Sequence, residues 1–451
     1  MINLPEDFKK NILLIYPDEA IDFFEALLNP PVTSVRVNPS KNADMFKDAT
    51  LVPWCEEGFY LAHRPSFITD PLFHAGAYYV QESSGMFLQY VLKQLPGIDM
   101  PLTALDLCAA PGGKSTLMQR VLHPHSALIA NEIIKTRVPV LVENMLRWGL
   151  PNQIITNNDA KQVGNMSALI DLMLVDAPCS GEGLFRKDQA AIKEWSPENV
   201  MLCAGRQQRI LREVLAALKP GGFLIYTTCT YNETENDGIV KWLCNDMGLI
   251  PFEIDVPELW PIEQIQKYMF KFLPHKVKGE GLFMAVLQKP LAEKLHENKF
   301  KEPKLNFVSR KLFPQLTPWL SNPDDFDFVT ENDFIYALPK TILPVFAVAR
   351  SKLYVKHAGI CMGKFDKHGE LIPEHHLALS ICLSKNIESI EVDKNTALLF
   401  LKKVTFSLPQ VFEQGWYVLR YQGLALGWIK VLPNRINNYL PAGYRIIKEL
   451  D

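Results

Sequence analysis

Hydrophobic positions follow two alternating patterns through the middle of the chain. From about residue 102, short apolar segments of strand length are separated by longer stretches in which apolar residues recur every three or four positions. The strand-like segments are TALDLCA, ALIANEI, QIITNN, LIDLMLVDA, GGFLIYTTC and GLFMAVLQ. Strands that alternate with amphipathic helices are typical of a parallel, doubly wound sheet, so this pattern predicts an α/β domain over residues 101–289.

The longest helix of this domain is predicted over residues 197–218, because its apolar residues share one face and a Pro-Gly-Gly sequence follows. Residues 1–100 begin with two helical patterns, FKKNILLIY and EAIDFFEALL, and continue into a predicted strand at residues 34–38. They predict a small α+β unit. Residues 289–304 are polar and Lys-rich, which indicates an exposed connection to the remainder of the chain.

Composition and charge exclude several classes of protein. Of the 451 residues, 48% are hydrophobic and 22% are charged, which is typical of folded, water-soluble domains. With 47 Lys and Arg against 50 Asp and Glu, the net charge is -3, so any surface that attracts nucleic acid has to be local. No stretch approaches the roughly 18 apolar residues of a membrane span, and we therefore predict no membrane association.

Cysteines and histidines argue against export and against a metal site. The eight cysteines form no C-x-x-C pair, which favours reduced thiols and a cytoplasmic protein. His123 with His125, and His375 with His376, have no Cys or carboxylate partner at metal-ligand spacing. We interpret all four as surface histidines and predict no bound metal.

The strongest local signal is the sequence LDLCAAPGGKS, which leads from a predicted strand directly into a helix. Backbone N–H groups are free at such a turn, and Gly112 and Gly113 allow a nucleotide-like ligand to approach the main chain. A glycine-rich helix cap is the alternative, and a P-loop is disfavoured because that motif needs a glycine at the position of Cys108. The predicted cofactor-binding residues are Cys108, Ala109, Ala110, Pro111, Gly112, Gly113 and Lys114.

Acidic residues end the next two predicted strands. Glu132 follows the last glycine of the loop by 19 residues, and its carboxylate is suited to accept hydrogen bonds from both hydroxyls of a ribose. Asp159 ends the third strand, where its carboxylate can accept a hydrogen from the exocyclic amine of adenine. Each residue alone could be a solvated loop residue, but their recurrence at successive strand ends predicts an adenosine site.

Two thiols follow the fourth and fifth predicted strands, in DAPCSGEG and TTCTYN. Carbon 5 of cytosine is a poor nucleophile, so its methylation requires a thiolate to add to carbon 6, and a second thiol can assist release. Cys179 and Cys229 are candidates for these roles, and most buried cysteines are otherwise inert. Asp176 is predicted to border the cofactor and to stabilise charge on the target base. Arg186, in the same loop, could contact phosphate or cover a solvated face.

These motifs together resemble the NOL1/NOP2/Sun family of S-adenosylmethionine-dependent RNA cytosine carbon 5 methyltransferases. DLCAAPGGKS, DAPCSGEG and TTCTYNETEND stand in the family's order, and SVRVNP, YYVQESSGM and FLPHKVKGEGLFMAV resemble flanking family stretches. The resemblance implies a Rossmann-like core, S-adenosylmethionine as cofactor, Cys229 as nucleophile and Cys179 in product release. The family usually has Ser after the nucleophilic Cys, and here Thr230 retains a hydroxyl.

The C-terminal part is similar to a bacterial branch of that family, the RsmF/YebU branch, in AGICMGKFDKHGELIPEHHLALSI and GLALGWIKVLPNRINNYLP. This implies an intermediate domain over residues 305–380 and a PUA-like, β-rich RNA-binding domain over residues 381–451. It also implies 16S ribosomal RNA or the small ribosomal subunit as partner of a monomeric enzyme. An inactive ribosome-assembly factor of the same fold and the same chemistry on tRNA are the alternatives, while the TCTYN motif disfavours a DNA methyltransferase.

Overall fold

The computed structural model describes residues 4–41, 44–291, 305–408 and 410–447, and the chain begins with helices around a small sheet. The first elements are α1 (Glu6–Ile15), α2 (Ala20–Leu28), β1 (Thr33–Val37), β2 (Thr50–Val52), β3 (Cys55–Leu61), α3 (Pro71–His74), β4 (Tyr78–Val80) and α4 (Phe87–Gln94). The four strands pair antiparallel in the order β2-β3-β1-β4. Both predicted helices and the predicted strand are present in this α+β unit.

The middle of the chain builds the large central sheet and its helices. Its elements are β5 (Thr103–Asp106), α5 (Gly113–Val121), β6 (Ala127–Asn131), α6 (Val138–Trp148), β7 (Gln153–Thr156), α7 (Ala160–Gly164), β8 (Ile170–Asp176), α8 (Gln189–Glu194), α9 (Pro197–Val214), β9 (Leu218–Thr228), α10 (Asp237–Asn245), β10 (Ile250–Pro251), β11 (Glu263–Gln266), β12 (Met269–Phe272) and β13 (Leu282–Gln288). All six predicted strands are therefore present.

The central sheet is mixed rather than wholly parallel. Strands β5 to β9 are parallel in the order β7-β6-β5-β8-β9, but β13 runs antiparallel to both β9 and β12. A parallel connection needs a crossover of a dozen or more residues, whereas only residues 273–281 join β12 to β13. The short connection makes β12 and β13 antiparallel, so the predicted parallel sheet holds for β5 to β9 but not for β10 to β13.

Apolar side chains are buried on both faces of the central sheet. Along β8, Met173 and Val175 pack into the core beneath α9, while Leu172 and Leu174 pack into the core beneath α4, α5 and α6. Successive side chains of a strand point to opposite faces, so a strand covered on both sides needs apolar residues at nearly every position. This is why LIDLMLVDA is almost continuously apolar.

Helix α9 begins as predicted but ends four residues early. The side chain of Ser196 accepts a hydrogen bond from the amide of Asn199 and so caps the first turn. The predicted end at Leu218 is wrong because Leu218 already belongs to β9, where it pairs with Ile170 of β8. Tertiary pairing decides this boundary.

The C-terminal part forms two small sheets and also adds a strand to the central sheet. Its elements are α11 (Phe313–Leu316), β14 (Phe326–Glu331), β15 (Phe334–Pro339), α12 (Leu343–Lys352), β16 (Val355–Ala358), β17 (Ile360–Phe365), β18 (Leu371–Pro373), α13 (His375–Leu379), β19 (Ser389–Glu391), α14 (Lys394–Lys402), β20 (Gly415–Tyr421), β21 (Leu424–Leu432) and β22 (Arg435–Asn438). The small sheets have the orders β14-β15-β17-β18 and β19-β20-β21-β22, whereas β16 pairs antiparallel with β7.

Residues 292–304, most of the predicted Lys-rich connection, lie outside the described residues. Within the described ranges, no helix has the length and apolar character needed to cross a bilayer. The same residues contain no group of three or more His, Cys, Asp or Glu side chains arranged to hold a metal ion.

Candidate active site

The predicted site residues converge at the carboxyl edge of the central sheet. Strands β5 to β9 are parallel, so the loops that follow them all emerge at this one edge. The loop after β5 carries the glycines, the loops after β6 and β7 carry Glu132 and Asp159, and the loops after β8 and β9 carry the two cysteines. The structure therefore brings together residues that lie more than 100 positions apart in the sequence.

The loop after β5 is shaped for close approach of a ligand. Gly112 has φ of 110°, a conformation that side chains rarely adopt, and it directly precedes α5. The guanidinium of Arg137 donates a hydrogen bond of 2.5 Å to the carbonyl of Ala110, and the amide of Ala109 donates one of 2.8 Å to the carbonyl of Asn131. These hydrogen bonds with Arg137 and Asn131 hold the backbone of the loop in place.

Arg36, which sequence reasoning did not assign to the site, supports this loop from the N-terminal unit. It is fully buried and donates hydrogen bonds to the carbonyl of Gly113, at 3.3 Å, and to the hydroxyl of Thr116, at 2.6 Å. Its Nε donates to the side chain of Gln81 at 2.8 Å. Burial lowers the pKa of Arg36 to about 10. SVRVNP and YYVQESSGM therefore meet each other at the start of α5.

Two buried carboxylates face the loop with one oxygen each lacking a hydrogen bond. Glu132 is 2% exposed; its Oε1 accepts from the amide of Ile134, and its Oε2 lies 3.4 Å from Arg137 without a hydrogen-bond donor. Asp106 is 1% exposed; its Oδ2 accepts from Ser115, while Oδ1 has no partner. Burial raises the pKa of Asp106 to about 7. Buried acceptors without donors are suited to receive hydrogens from a ligand.

Asp159 caps a helix, in addition to its predicted role near the adenine. Its carboxylate accepts a hydrogen bond from the amide of Gln162, and the Gln162 side chain accepts one from the amide of Asp159, which caps α7. The preceding Asn157 donates to the carbonyl oxygens of Glu132, at 2.6 Å, and Ile133, at 3.0 Å. The two predicted adenosine contacts therefore lie on loops that are hydrogen-bonded to each other.

Lys114 and Asp176 form an ion pair between the glycine loop and the end of β8. The distance from Lys114 Nζ to Asp176 Oδ2 is 2.7 Å, and the other carboxylate oxygen accepts a hydrogen bond of 2.5 Å from Thr227. Burial lowers the pKa of Lys114, but the ion pair and hydrogen bond with Asp176, together with the nearby Asp106 carboxylate, raise it, and the net shift is upward. Lys114 thus stays cationic and is directed at a carboxylate instead of a phosphate.

Cys179 and Cys229 are in contact, with their sulfur atoms 3.1 Å apart. The amide of Cys229 also donates a hydrogen bond to the Cys179 sulfur at 3.3 Å. The hydrogen bond with Cys229 and burial together raise the pKa of the Cys179 thiol well above its ordinary value. Both cysteines are half-buried residues, and they lie at the sheet edge where ligands bind in open α/β sheets.

Two further carboxylates hold the loops that carry these cysteines. Glu182, 1% exposed, accepts hydrogen bonds from the indole of Trp195, the hydroxyl of Thr230, the amide of Tyr231, and the amide and side chain of Asn232. Glu235, fully buried, accepts from the amide of Ser180 and from the side chains of Gln207 and Asn232. Both acids lie in the quoted motifs, but their burial could not be inferred from one sequence.

The structure bears on two of the residues that the sequence singled out. The side chain of Arg186 is 5% exposed and bonds the carboxylate of Glu280 at 2.9 Å and the carbonyl of Gly279, so of the two alternatives left open for it, it does not cover a solvated face but holds two loops together. His375 is also buried, because α13 packs between β17, β21 and α6. Burial lowers the pKa of His375 to about 3, so this histidine is a neutral core residue.

Known protein families match three successive parts of the chain. Residues 4–83 match the N-terminal domain of 16S rRNA methyltransferase RsmF, residues 99–288 match 16S rRNA methyltransferase RsmB/F, and residues 387–446 match the methyltransferase RsmF PUA domain. Ribosomal RNA small subunit methyltransferase F from Aliivibrio fischeri (strain MJ11) is 31% identical, with 98% of this chain and 97% of the relative covered. This chain belongs to the ribosomal RNA small subunit methyltransferase F family.

Other members and solved structures agree with that assignment. The methyltransferase F of Vibrio cholerae (strain M66-2) is 30% identical over 98% of this chain and 97% of its own length. The crystal structure of a methyltransferase homolog protein from Pyrococcus horikoshii is 26% identical, with a TM-score of 0.55, and 64% of this chain and 96% of that chain are covered. NSun6 from Pyrococcus horikoshii with SFG, an S-adenosylmethionine analogue, shares the fold at 20% identity and a TM-score of 0.54, over 63% of this chain and 98% of its own.

Membership of the methyltransferase F family confirms several predictions. The α/β fold class with a Rossmann-like core and a PUA-like C-terminal domain is confirmed, as is S-adenosylmethionine as the cofactor. The prediction of an S-adenosylmethionine-dependent rRNA methyltransferase is confirmed at the level of the family. The roles of individual site residues stay predictions.

Proposed function

We propose that this protein methylates carbon 5 of a cytosine in 16S ribosomal RNA through a covalent adduct with Cys229. The observation that carries the proposal is the contact of two thiols at 3.1 Å beside the loop that is shaped for a nucleotide-like cofactor. The names of the relatives, all small-subunit rRNA methyltransferases, support the choice of RNA. The proposal keeps the monomeric enzyme that the family resemblance implies, and an rRNA substrate supports a cytoplasmic location.

The proposed cofactor site extends from the glycine loop to the loop after β7. The backbone of residues 108–114 would hold the methionine part, Glu132 would accept hydrogens from the ribose, and Asp159 would lie near the adenine. The buried, unpartnered oxygens of Asp106 and Glu132 and the left-handed Gly112 fit such a ligand. When bound, S-adenosylmethionine supplies an electrophilic methyl group.

Cys229 is proposed as the nucleophile because it occupies the position of the nucleophilic Cys in the TC-containing motif of the family that the chain resembles. Only a thiolate adds efficiently to carbon 6 of the ring, and a hydrogen bond with the Cys229 sulfur, together with burial, raises the pKa of Cys179, which favours a protonated thiol beside an attacking Cys229. Addition of the Cys229 sulfur to carbon 6 would make carbon 5 electron-rich enough to take the methyl group that a bound cofactor supplies, with S-adenosylhomocysteine as the leaving product. Asp176, fixed by Lys114 and Thr227, would stabilise charge on the base during this addition.

Product release breaks the bond that formed first, between the Cys229 sulfur and carbon 6. A base removes the proton from carbon 5, the electrons re-form the ring double bond, and the bond from carbon 6 to the Cys229 sulfur breaks. Cys179 lies 3.1 Å from that sulfur and, as a thiol, can donate a hydrogen bond to the departing thiolate. We therefore assign assistance of product release to Cys179.

The target cytosine has to leave its base stack to reach the thiols, and the flanking units would hold the RNA during this step. We propose four units: residues 1–100 and 381–451 as RNA-binding units, residues 101–289 as the catalytic domain, and residues 305–380 as an intermediate domain. The intermediate domain lends β16 to the central sheet, so it is also a structural part of the catalytic domain.

Transfer of tritium from labelled S-adenosylmethionine tests the proposed function. The substrates are 16S rRNA, free and in small subunits, from cells that lack this protein, with tRNA from the same cells as the comparison. We expect label on rRNA alone, mapped as 5-methylcytosine. Label on tRNA alone would overturn the choice of substrate, and a wild-type protein that transfers no label to either would favour an inactive assembly factor.

A further inference from the structure

The segment that enters β16 lies at the carboxyl edge of the central sheet, next to the loop that contains Asp159. The amide of Asn157 donates a hydrogen bond of 3.1 Å to the carbonyl of Tyr354. The amide of Tyr354 in turn donates one of 3.0 Å to the side chain of Asn158, and the next residue, Val355, pairs with Thr156 of β7. Tyr354 is therefore fixed by its backbone beside the proposed adenosine end of the cofactor site.

The side chain of Tyr354 is exposed although its backbone is fixed. The residue is 60% exposed, and the ammonium of Lys356 lies 4.3 Å from the ring centroid and 3.3 Å from the phenol oxygen. Ile133 and Ile134, on the loop bonded to Asn157, are 52% and 48% exposed. An exposed aromatic ring at a strand end, with an ammonium over one of its faces, combines the two kinds of group with which proteins hold unpaired bases.

Lysines flank, in the sequence, the three segments that meet at Tyr354. Lys135, Lys161 and Lys352 lie within three residues of Ile133, Asn158 and Tyr354 respectively. Within the part of the chain that the structure describes, none of these three lysines, nor Lys356, has a carboxylate within 4.0 Å. Three acids in this region have other surroundings: Glu132 is buried, Asp159 caps α7, and Glu331 forms an ion pair with Arg350. Lysines without a carboxylate partner thus flank these segments in the described part of a chain whose net charge is -3.

We infer that Tyr354 and these lysines form a stacking site for an unpaired RNA base, away from the target cytosine. The inference rests on the proposed function, since it assumes an RNA substrate. Five strand spacings separate β9, which carries Cys229, from β16, or about 24 Å at ~4.8 Å per strand. A base on Tyr354 is therefore a different nucleotide of the same strand, and its backbone would pass the lysines.

Binding measurements on the full-length protein test the site. The variants are Tyr354→Ala, Tyr354→Phe as the matched control that keeps the ring, and Lys356→Glu. The probes are a fluorescein-labelled single-stranded RNA of about 16 nucleotides and, separately, S-adenosylmethionine. We expect Tyr354→Ala to weaken RNA binding about fivefold or more, because stacking on an aromatic ring contributes that much per base. Tyr354→Phe should bind like the wild type.

The salt dependence separates stacking from charge. Lys356→Glu should lower the slope of log Kd against log salt concentration by about one, as expected for one lost phosphate contact, whereas Tyr354→Ala should leave that slope unchanged. Affinity for S-adenosylmethionine should be unchanged in all three variants. Weaker cofactor binding with normal RNA binding in Tyr354→Ala would overturn the inference and assign the ring to the cofactor's adenine.

Unchanged RNA affinity in both Tyr354→Ala and Lys356→Glu would also overturn the inference. This failure differs from failure of the proposed function. If the wild type methylates rRNA and the variants bind RNA normally, the stacking site is wrong and the methyltransferase stands. If the wild type transfers no methyl group but binds RNA in a way that depends on Tyr354, the stacking site stands and the proposed chemistry is wrong.

Discussion

Two pairs of buried carboxylates at the carboxyl edge of the sheet differ in how fully the protein satisfies their oxygens. In the half that carries the cysteines, both oxygens of Glu182 and both oxygens of Glu235 accept hydrogen bonds from the protein. In the half that carries the glycine loop, Asp106 and Glu132 each have one oxygen without a hydrogen-bond donor. A buried acceptor without a donor costs free energy that a ligand can recover.

Around the cysteines, the protein itself supplies the hydrogen bonds to Glu182 and Glu235. Around the glycine loop, a ligand would supply the missing hydrogen bonds to Asp106 and Glu132. The loops around Cys179 and Cys229 are fixed before any substrate arrives, which suits groups that must meet a flipped base in one orientation. In the half that carries the glycine loop, Asp106 and Glu132 each have an oxygen that can accept a hydrogen bond from a ligand, because the protein supplies no donor. Changes in the first half should therefore lower stability, and changes in the second half should lower affinity.

The largest effect is expected for Glu182→Ala. The substitution removes the acceptor for Trp195, Thr230 and two backbone amides that remain buried, so we expect the free energy of unfolding to fall by about 3 kcal/mol or more. Urea denaturation measures this, and methyl transfer should fall with it. Glu194→Ala, an exposed position on α8, is the control and should change stability by less than about 0.5 kcal/mol. Similar effects of the two substitutions would remove the distinction between the halves.

Glu132→Gln should act on cofactor affinity instead. It keeps the oxygen that accepts from the amide of Ile134 but removes the charge, and we expect binding of S-adenosylmethionine to weaken by roughly 1.5 to 3 kcal/mol, tenfold or more. Titration calorimetry measures the affinity, and thermal unfolding without cofactor should change little. An unchanged affinity would remove Glu132 from the cofactor site.

A pH dependence is expected from Asp106. Burial raises its pKa from 3.8 to about 7, so the folded state keeps a proton that the unfolded chain loses, and stability falls as the pH rises through this range. Asp106→Asn cannot ionise, so its stability relative to the cofactor-free wild type should increase by about 1 kcal/mol or more as the pH rises from about 5 to 8. Asp99→Asn, at an exposed carboxylate, is the control. A pH-independent difference between wild type and Asp106→Asn would contradict the buried ionisation.

The smallest effect is expected at Asp159, where the two kinds of role coincide. Asp159→Ala removes the cap of α7 and should lower stability by about 1 kcal/mol, whereas Asp159→Asn keeps a capping oxygen and should not. Both variants should bind S-adenosylmethionine more weakly if the carboxylate contacts adenine. Normal cofactor affinity in Asp159→Asn would reduce Asp159 to a helix cap.

The sequence predicted the positions of those candidate site residues that end strands. The alternation of apolar strands and amphipathic helices places Glu132, Asp159 and Asp176 at one edge, because parallel strands end at the same side of a sheet. Strand β16 was not predicted: its sequence VKHA is short and half polar, and it is a strand only because β7 has a free edge to pair with. Arg36 was missed because its contacts with Gly113 and Thr116 span nearly 80 positions.

Burial of polar groups was the least predictable property. The local sequence around Glu182 and His375 carries no signal of burial. Both residues are buried because elements distant in the sequence pack over them. The short apolar runs of β5 to β9, in contrast, require burial on both faces wherever they lie. Local pattern therefore predicts the layers of this fold, and long-range contacts decide which charged groups lie inside them.

The central claim, that Cys229 attacks and Cys179 assists release, is tested most directly by trapping the adduct. Each cysteine is changed to Ala, each variant is incubated with S-adenosylmethionine and its rRNA, and the products are separated on a denaturing gel. We expect a slow-migrating protein–RNA species for Cys179→Ala, because attack and methylation proceed but release fails. Cys229→Ala should give no such species and no turnover. A trapped species for Cys229→Ala and none for Cys179→Ala would contradict the assignment.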